Sequence, residues 1–79
     1  MTRLELLQGI QDVAEKHLDF QGQLTEASTL VEALRLDSIR MLTLVVELEN
    51  RFAICLEEGD EDGLVQVGQL IDILEQRGA

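Results

Sequence analysis

Few residue types in this 79-residue sequence could perform chemistry on their own. The one histidine, His17, would have to serve any Ser-His or Cys-His nucleophilic pair. Its position at the end of a predicted helix favours a structural or solvated role, because the helix dipole stabilises a cation there. The one cysteine, Cys55, follows Ile54 and is predicted to be a partly buried apolar residue without a disulfide. We therefore predict that the protein is not an enzyme.

The acidic segment 57–63 suggests a calcium loop but departs from the required pattern. With Gly63 as the sixth-position glycine of such a loop, acidic residues occupy positions one, three and five. However, the first is Glu58 rather than Asp, and the twelfth position is Gln69, which cannot supply a bidentate carboxylate. We interpret the segment as a solvated acidic surface and predict no metal site.

Ser38 is the hydroxyl best placed for modification by another protein. It follows Asp37 and precedes apolar residues at the predicted start of a helix. Either Asp37 or Ser38 would serve as the N-cap, which is an ordinary role for these residue types. The same position would also accommodate a phosphodiester on the hydroxyl, because the first N–H groups of a helix are free and its dipole end is positive. The sequence leaves both roles open.

Two helices are predicted to flank this position. The first spans about residues 3–18, where Thr2 and Glu5 form a capping box. Its apolar stripe consists of Leu4, Leu7, Ile10, Ala14 and Leu18. The second spans about residues 38–52, with a stripe formed by Met41, Val45, Leu48 and Phe52. Further apolar residues exceed what one buried face requires, namely Ile39, Leu42, Leu44 and Val46.

The rest of the chain completes a small helical fold. Residues 19–36 show a weaker pattern and are predicted to form a long loop, which in so small a domain is usually functional. A last main helix spans about residues 64–77 with Gly78 as its stop, and a short fourth helix is predicted near residues 57–63. The sequence therefore predicts an all-α, four-helix bundle that forms a single domain over residues 1–79.

The charge balance restricts the partners. Six basic and sixteen acidic side chains give a net charge of −10. Such a surface repels phosphate backbones and anionic lipid, so we expect basic protein surfaces rather than nucleic acid or membranes as partners. No apolar run is long enough for a signal peptide or a membrane span. We expect a cytoplasmic monomer.

Two segments resemble the acyl carrier proteins and their relatives. The first is Asp37-Ser38-Ile39, which matches the Asp-Ser-Leu/Ile triplet of that family. The second matches the family pattern Leu-Val-x-x-Leu-Glu-x-x-Phe-x-Ile, and it is formed by Leu44, Val45, Leu48, Glu49, Phe52 and Ile54. The resemblance extends over nearly the whole chain, with the helices and the long loop in family order.

The resemblance implies a covalent prosthetic group in place of catalysis. Ser38 corresponds to the family serine that receives phosphopantetheine from coenzyme A through a phosphopantetheinyl transferase. The thiol of this arm carries acyl, aminoacyl or polyketide intermediates as thioesters, so loading and condensing enzymes are further implied partners. The implied core packs Leu44, Val45, Leu48, Phe52 and Ile54 on Leu7, Ile10, Leu70 and Leu74.

The implied partner surface surrounds Ser38 and combines charged with exposed apolar residues. It consists of Asp37, Ile39, Arg40, Met41, Val46, Glu47 and Glu49. Arg40 departs from the fatty-acid carriers, which usually have an acidic residue just after the Ser-Leu pair. Arg35 also departs from the family, which commonly has glycine two residues before the Asp.

These departures from the fatty-acid carriers affect which biosynthetic pathway the sequence predicts. We predict an acyl carrier for fatty acid, polyketide or related biosynthesis, with an aminoacyl, D-alanyl or peptidyl carrier as the alternative. The stretch from Glu47 to Phe52 looks particularly like the D-alanyl carriers. A carrier-like interaction domain that lacks the modification is the competing class of function, and the intact Ser38 favours the carrier.

Overall fold

The computed structural model describes residues 1–57, 59–60 and 62–79, and it is built from α-helices. In chain order these are α1 (Arg3–His17), α2 (Leu30–Leu34), α3 (Ser38–Phe52) and α4 (Val67–Gln76). Outside the helices there is an isolated antiparallel bridge between Thr29 and Gln66. The prediction of an all-α bundle with four helices is confirmed.

The start of α1 forms the predicted capping box. Thr2 Oγ1 accepts a hydrogen bond from the Glu5 N–H at 3.2 Å, and the Thr2 N–H donates to Glu5 Oε1 at 2.9 Å. These bonds hold the pKa of the Glu5 carboxyl below its usual range. Because they satisfy two N–H groups that the helix itself leaves free, the helix begins where the sequence indicated.

The buried face of α1 differs from the predicted stripe. The buried residues are Leu6, Gly9, Ile10, Gln11, Val13 and Ala14. Leu4 is 74% exposed and Leu7 is only partly buried, so the predicted stripe is wrong at its start. Contact with α3 selects the other face, since Gly9 lies so close to the Phe52 ring that a Cβ atom there would overlap it.

The short helix lies inside the segment predicted as a loop. α2 occupies residues 30–34, and its Leu30 and Leu34 are both buried in the core. These two leucines are four residues apart, so one turn of helix directs both to the same side. The long connection between the first two main helices is therefore shorter than predicted.

Residues 57–63 do not form the predicted helix where the structure describes them. Gly59 and Gly63 have φ angles of 93° and 77°, which a right-handed helix does not allow. The described residues 59–60 and 62–63 are turns. Glu58 and Glu61 lie outside the described residues, and Glu58 is also the first ligand of the calcium alternative.

The core is one cluster to which all four helices contribute. From α3 only Leu44 and Leu48 are fully buried, while Phe52 and Ile54 pack against the cluster from partly exposed positions. The core implied by the resemblance is confirmed for Ile10, Leu44, Leu48, Leu70 and Leu74. Val45 is wrongly assigned to the core, because Leu44 takes the inward position on this turn.

One buried polar side chain attaches the loop after α1 to the helix. Gln11 is 4% exposed, and its Oε1 accepts a hydrogen bond from the Leu24 N–H at 2.8 Å. Its Nε2 donates to the Gly22 carbonyl at 2.9 Å and to Glu15 Oε2 at 2.7 Å. Gln11 thus pairs two backbone groups of the loop that would otherwise be without a partner.

Arg77 anchors the acidic turn to the end of α4. Its Nε and Nη2 donate to the two carboxylate oxygens of Asp60 at 2.9 and 2.7 Å, and its Nη2 lies 3.4 Å from Glu57 Oε2. The hydrogen bonds from Arg77 hold the pKa of the Asp60 carboxyl below its usual range. Arg77 therefore offsets part of the repulsion within the acidic segment.

We expect the melting temperature to rise with sodium chloride. The net charge is −10, and salt screens exposed repulsion over a Debye length of about 10 Å at 0.1 M. Arg77→Gln should lower the melting temperature at low salt and steepen its rise with salt. Arg51→Gln is the matched control, because it removes the same charge from a pair with one carboxylate, that of Asp12. Circular dichroism melts provide the measurement, and a flat or falling wild-type melting temperature would contradict the repulsion.

Candidate functional site

Ser38 is the first residue of α3 and is exposed. The helix is capped by Asp37, whose Oδ1 accepts a hydrogen bond from the Arg40 N–H at 2.8 Å. The Ser38 hydroxyl forms no hydrogen bond to a residue that the structure describes. The cap that the sequence left open between the two residues therefore belongs to Asp37, and the Ser38 hydroxyl is accessible for reaction.

Two other hydroxyl groups, those of Ser28 and Thr43, are engaged in local hydrogen bonds. Ser28 Oγ accepts a hydrogen bond from the Thr25 N–H at 2.9 Å. Thr43, on the same helix as Ser38, donates from Oγ1 to the Ile39 carbonyl at 3.1 Å. Ser38 differs from these residues because its hydroxyl is both exposed and unengaged at a helix start.

The segment that leads to Ser38 begins with a left-handed residue. Arg35 has φ 53° and ψ 50°, and the following Leu36 N–H donates to the Val31 carbonyl at 3.1 Å. This is the Schellman type of helix ending, in which glycine is the usual residue because it has no Cβ atom. The positive φ gives a physical reason for the glycine that the family commonly has at this position.

We expect Arg35→Gly to raise the free energy of unfolding by about 0.5–1 kcal/mol, because the left-handed conformation is strained for a residue with a Cβ atom. Ala53→Gly should act in the same direction, since Ala53 ends α3 with φ 54°. Ala33→Gly, inside α2, should instead lower it by about 1 kcal/mol. Urea denaturation followed by circular dichroism measures all three, and equal destabilisation by Arg35→Gly and Ala33→Gly would refute the strain.

Apolar side chains that the core does not use lie beside Ser38. Ile39 is 77% exposed, Leu42 63% and Val46 41%, and their spacing places them on one face of α3. These three residues are termed the apolar patch. Met41, predicted to be exposed in the partner surface, packs partly against the core instead. Leu42 is the exposed residue in place of Met41. It lies three residues after Ile39 and four before Val46, a spacing that puts all three on one face of the helix.

The acidic residues predicted for the partner surface also have contacts within the chain. Glu47 Oε1 lies 3.4 Å from His17 Nε2. Glu49 Oε2 accepts a hydrogen bond from the Leu56 N–H at 2.8 Å and so fixes the chain that follows α3. The sequence does not predict this contact, because no pattern marks a backbone donor seven residues away. The part of these residues in partner recognition stays a prediction.

Arg40 directs its guanidinium towards backbone carbonyls. Its Nη2 donates to the carbonyls of Leu18 at 2.7 Å and Leu34 at 2.8 Å. The side chain is half-buried and, together with Arg35, lines a cleft of about 610 Å³. Arg40, predicted for the partner surface, therefore also has a role within the chain, since most of its hydrogen-bonding capacity is used there.

Cys55 is exposed, which corrects the prediction that it is partly buried. It lies in the segment after α3, where its neighbours Ile54 and Leu56 pack against the core and Cys55 faces the opposite side. Across the described ranges, no group of three or more His, Cys, Asp or Glu side chains could hold a metal ion. None of the helices described is long and apolar enough to cross a membrane.

Known proteins resemble the chain over nearly its whole length. No protein-family model matches it. The acyl carrier protein of Exiguobacterium sibiricum is 30% identical over 76 residues, which cover 95% of this chain and 96% of that protein. The acyl carrier protein of another Exiguobacterium species is 30% identical over 78 residues, with coverages of 98% and 99%. That of Thermotoga maritima is 23% identical over 77 residues, with coverages of 96% and 95%. With four helices in the part of the chain that the structure describes and an exposed serine at the start of α3, this chain belongs to the acyl carrier protein family.

Proposed function

We propose that this protein carries acyl groups as thioesters on a phosphopantetheine arm attached to Ser38. The observation that supports this most directly is the Ser38 hydroxyl, which is exposed and unengaged by the described residues while Asp37 caps the helix. Relatives that cover nearly the whole chain are acyl carrier proteins. The carrier itself catalyses no step, because the reactions of its cargo belong to the enzymes on which it docks.

The start of α3 suits a phosphodiester on Ser38. In this turn the Arg40 N–H is bound by Asp37, whereas the N–H groups of Ser38 and Ile39 donate to no acceptor among the described residues. Free N–H groups and the positive end of the dipole favour an anionic group at this position. When bound, the arm supplies a terminal thiol that forms the thioester, and Ser38 contributes the oxygen that holds the arm.

The surface beside Ser38 supports weak docking on several enzymes in turn. The apolar patch provides a small contact area, and the net charge of −10 attracts basic docking surfaces. The expected partners are a phosphopantetheinyl transferase and then the loading and condensing enzymes of fatty acid, polyketide or related biosynthesis. A small patch suits a carrier that must leave each partner, because large apolar interfaces dissociate slowly.

Intact-mass spectrometry tests the proposal. The wild-type protein, incubated with coenzyme A and a phosphopantetheinyl transferase of broad specificity, should gain the mass of one phosphopantetheinyl group. Trypsin cleaves after Arg35 and Arg40 and releases a peptide in which Ser38 is the only hydroxyl residue. The added mass should reside on this peptide. Absence of the gain, or its location on another peptide, would refute the proposed function.

A further inference from the structure

Arg40 joins the start of α3 to the ends of two other helices. Its Nη2 donates to the Leu18 carbonyl at 2.7 Å and to the Leu34 carbonyl at 2.8 Å, and its Nε donates to the Leu34 carbonyl at 3.1 Å. Leu18 is the C-cap of α1, and Leu34 is the last residue of α2. A side chain two residues after Ser38 therefore contacts the C-terminal ends of both preceding helices.

These two carbonyls are suitable acceptors for an arginine. The last carbonyls of a helix have no partner within the helix and carry the negative end of its dipole. A guanidinium presents several N–H groups in one rigid plane, so it binds two carbonyls in a defined geometry that an ammonium group does not impose. Other arginines of this chain, Arg3, Arg51 and Arg77, bind carboxylates. The Arg40 contacts are thus a link between helices and not a surface ion pair.

Ser38 lies close in sequence to Arg40 and Leu34, two residues of this link. Residues 35–37 alone separate α2 from Ser38, and the first of them is left-handed. The Arg40 N–H also donates to Asp37, the cap of α3. The same residue therefore completes the cap with its backbone and, with its side chain, fixes the first turn of α3 relative to α1 and α2.

We infer that Arg40 is a positioning residue for the modification of Ser38, because its bonds to the Leu18 and Leu34 carbonyls hold the first turn of α3, which carries the hydroxyl, in place relative to α1 and α2. This inference rests on the proposed function. In the transfer, the Ser38 oxygen bonds to the phosphorus that bears the pantetheine, and the adenosine bisphosphate part of coenzyme A leaves with the electron pair of the broken P–O bond. The hydroxyl proton passes to the transferase. Loss of the Arg40 bonds should slow this step, whereas binding through the apolar patch should change little.

A matched substitution at Arg35 separates the effect of losing the Arg40 hydrogen bonds from the effect of losing a positive charge. It lines the same cleft as Arg40, but its exposed side chain forms no hydrogen bond to the described part of the chain. Arg35→Gln and Arg40→Gln remove the same charge, and only the second removes the link. Arg40→Lys keeps the charge and removes the planar group that binds both carbonyls.

Steady-state phosphopantetheinylation of the wild type and these three variants, with the carrier as the varied substrate, tests the inference. Arg40→Gln should lower kcat about tenfold with KM changed by no more than about twofold, because misplacement of a reacting group mainly slows the chemical step. Arg40→Lys should recover part of this kcat, and Arg35→Gln should match the wild type. The assay temperature is one at which circular dichroism shows all four proteins folded.

Two results would overturn the inference. The first is an unchanged kcat in Arg40→Gln. The second is full activity of Arg40→Lys together with an equal rise of KM in both glutamine variants, which would assign Arg40 to charge recognition. If Arg40→Gln does not fold, Arg40→Lys takes its place in the test. A kcat of Arg40→Lys equal to that of the wild type then refutes the role of the Arg40 bonds. Failure of the wild type itself to be modified refutes the proposed function, and this inference with it.

Discussion

Replacing Ser38 with alanine is expected to abolish phosphopantetheine attachment and to leave the fold almost unchanged. The reaction needs the hydroxyl, and no described residue uses that hydroxyl as a donor or acceptor. The cap stays in place, because it is formed by Asp37 and the Arg40 N–H. Alanine is the best helix former, so the free energy of unfolding should change by less than about 0.5 kcal/mol. Intact mass and urea denaturation measure the two effects.

Two control variants distinguish the loss of the Ser38 hydroxyl from the loss of the helix cap and from the loss of another hydroxyl. Asp37→Ala keeps the Ser38 hydroxyl and removes the cap, so it should lower the free energy of unfolding by about 1 kcal/mol. Ser28→Ala removes a hydroxyl that accepts a hydrogen bond from the Thr25 N–H, and it should be modified as fully as the wild type. A mass gain in Ser38→Ala would show that another residue receives the arm.

The starts of α1 and α3 could be predicted from local side chains, whereas α4 begins at Val67 and not near residue 64 as the sequence predicts. Thr2 and Glu5 lie three residues apart, and the capping box that they form needs no other part of the chain. The start of α3 follows in the same way from Asp37 and Ser38. The hydrogen bonds that cap these helices join neighbours in sequence, so the sequence alone indicates where the helices begin.

The choice of buried face and the place of α2 could not be predicted in this way. Several sets of apolar residues in α1 repeat at helical spacing, and the close approach of Gly9 to Phe52 favours one of them. α2 has one turn, so Leu30 and Leu34 are too few to define a period. A helix this short is not stable alone and forms because its leucines are buried in the core.

In the candidate site, too, features set by neighbouring residues could be predicted and contacts between distant residues could not. The Asp37-Ser38-Ile39 triplet identified Ser38, because the residues that mark it are adjacent. The bonds from Arg40 to carbonyls 6 and 22 residues earlier in the chain could not be predicted. Every residue has a carbonyl, so the sequence does not indicate which ones accept a hydrogen bond from a long side chain.

Replacing Gln11 with alanine is expected to lower the free energy of unfolding by about 2–4 kcal/mol, because the Leu24 N–H and the Gly22 carbonyl would lose their partner inside the protein. A chain of 79 residues has a total free energy of unfolding of roughly 4–12 kcal/mol, so this loss is a large fraction. Urea denaturation measures it, and amide hydrogen exchange at Leu24 should become faster relative to α4.

Gln8→Ala is the matched control for this prediction. Gln8 lies on the same helix, is exposed, and donates to Asp12 Oδ1 at 3.1 Å, so its loss should cost less than about 0.5 kcal/mol. Gln11→Met keeps the volume of the side chain and removes its hydrogen bonds, and it should be nearly as destabilising as Gln11→Ala. Equal effects of Gln8→Ala and Gln11→Ala would mean that water replaces the Gln11 amide and that the loop does not depend on it. A stable Gln11→Met would instead assign the effect of Gln11→Ala to the cavity that alanine leaves.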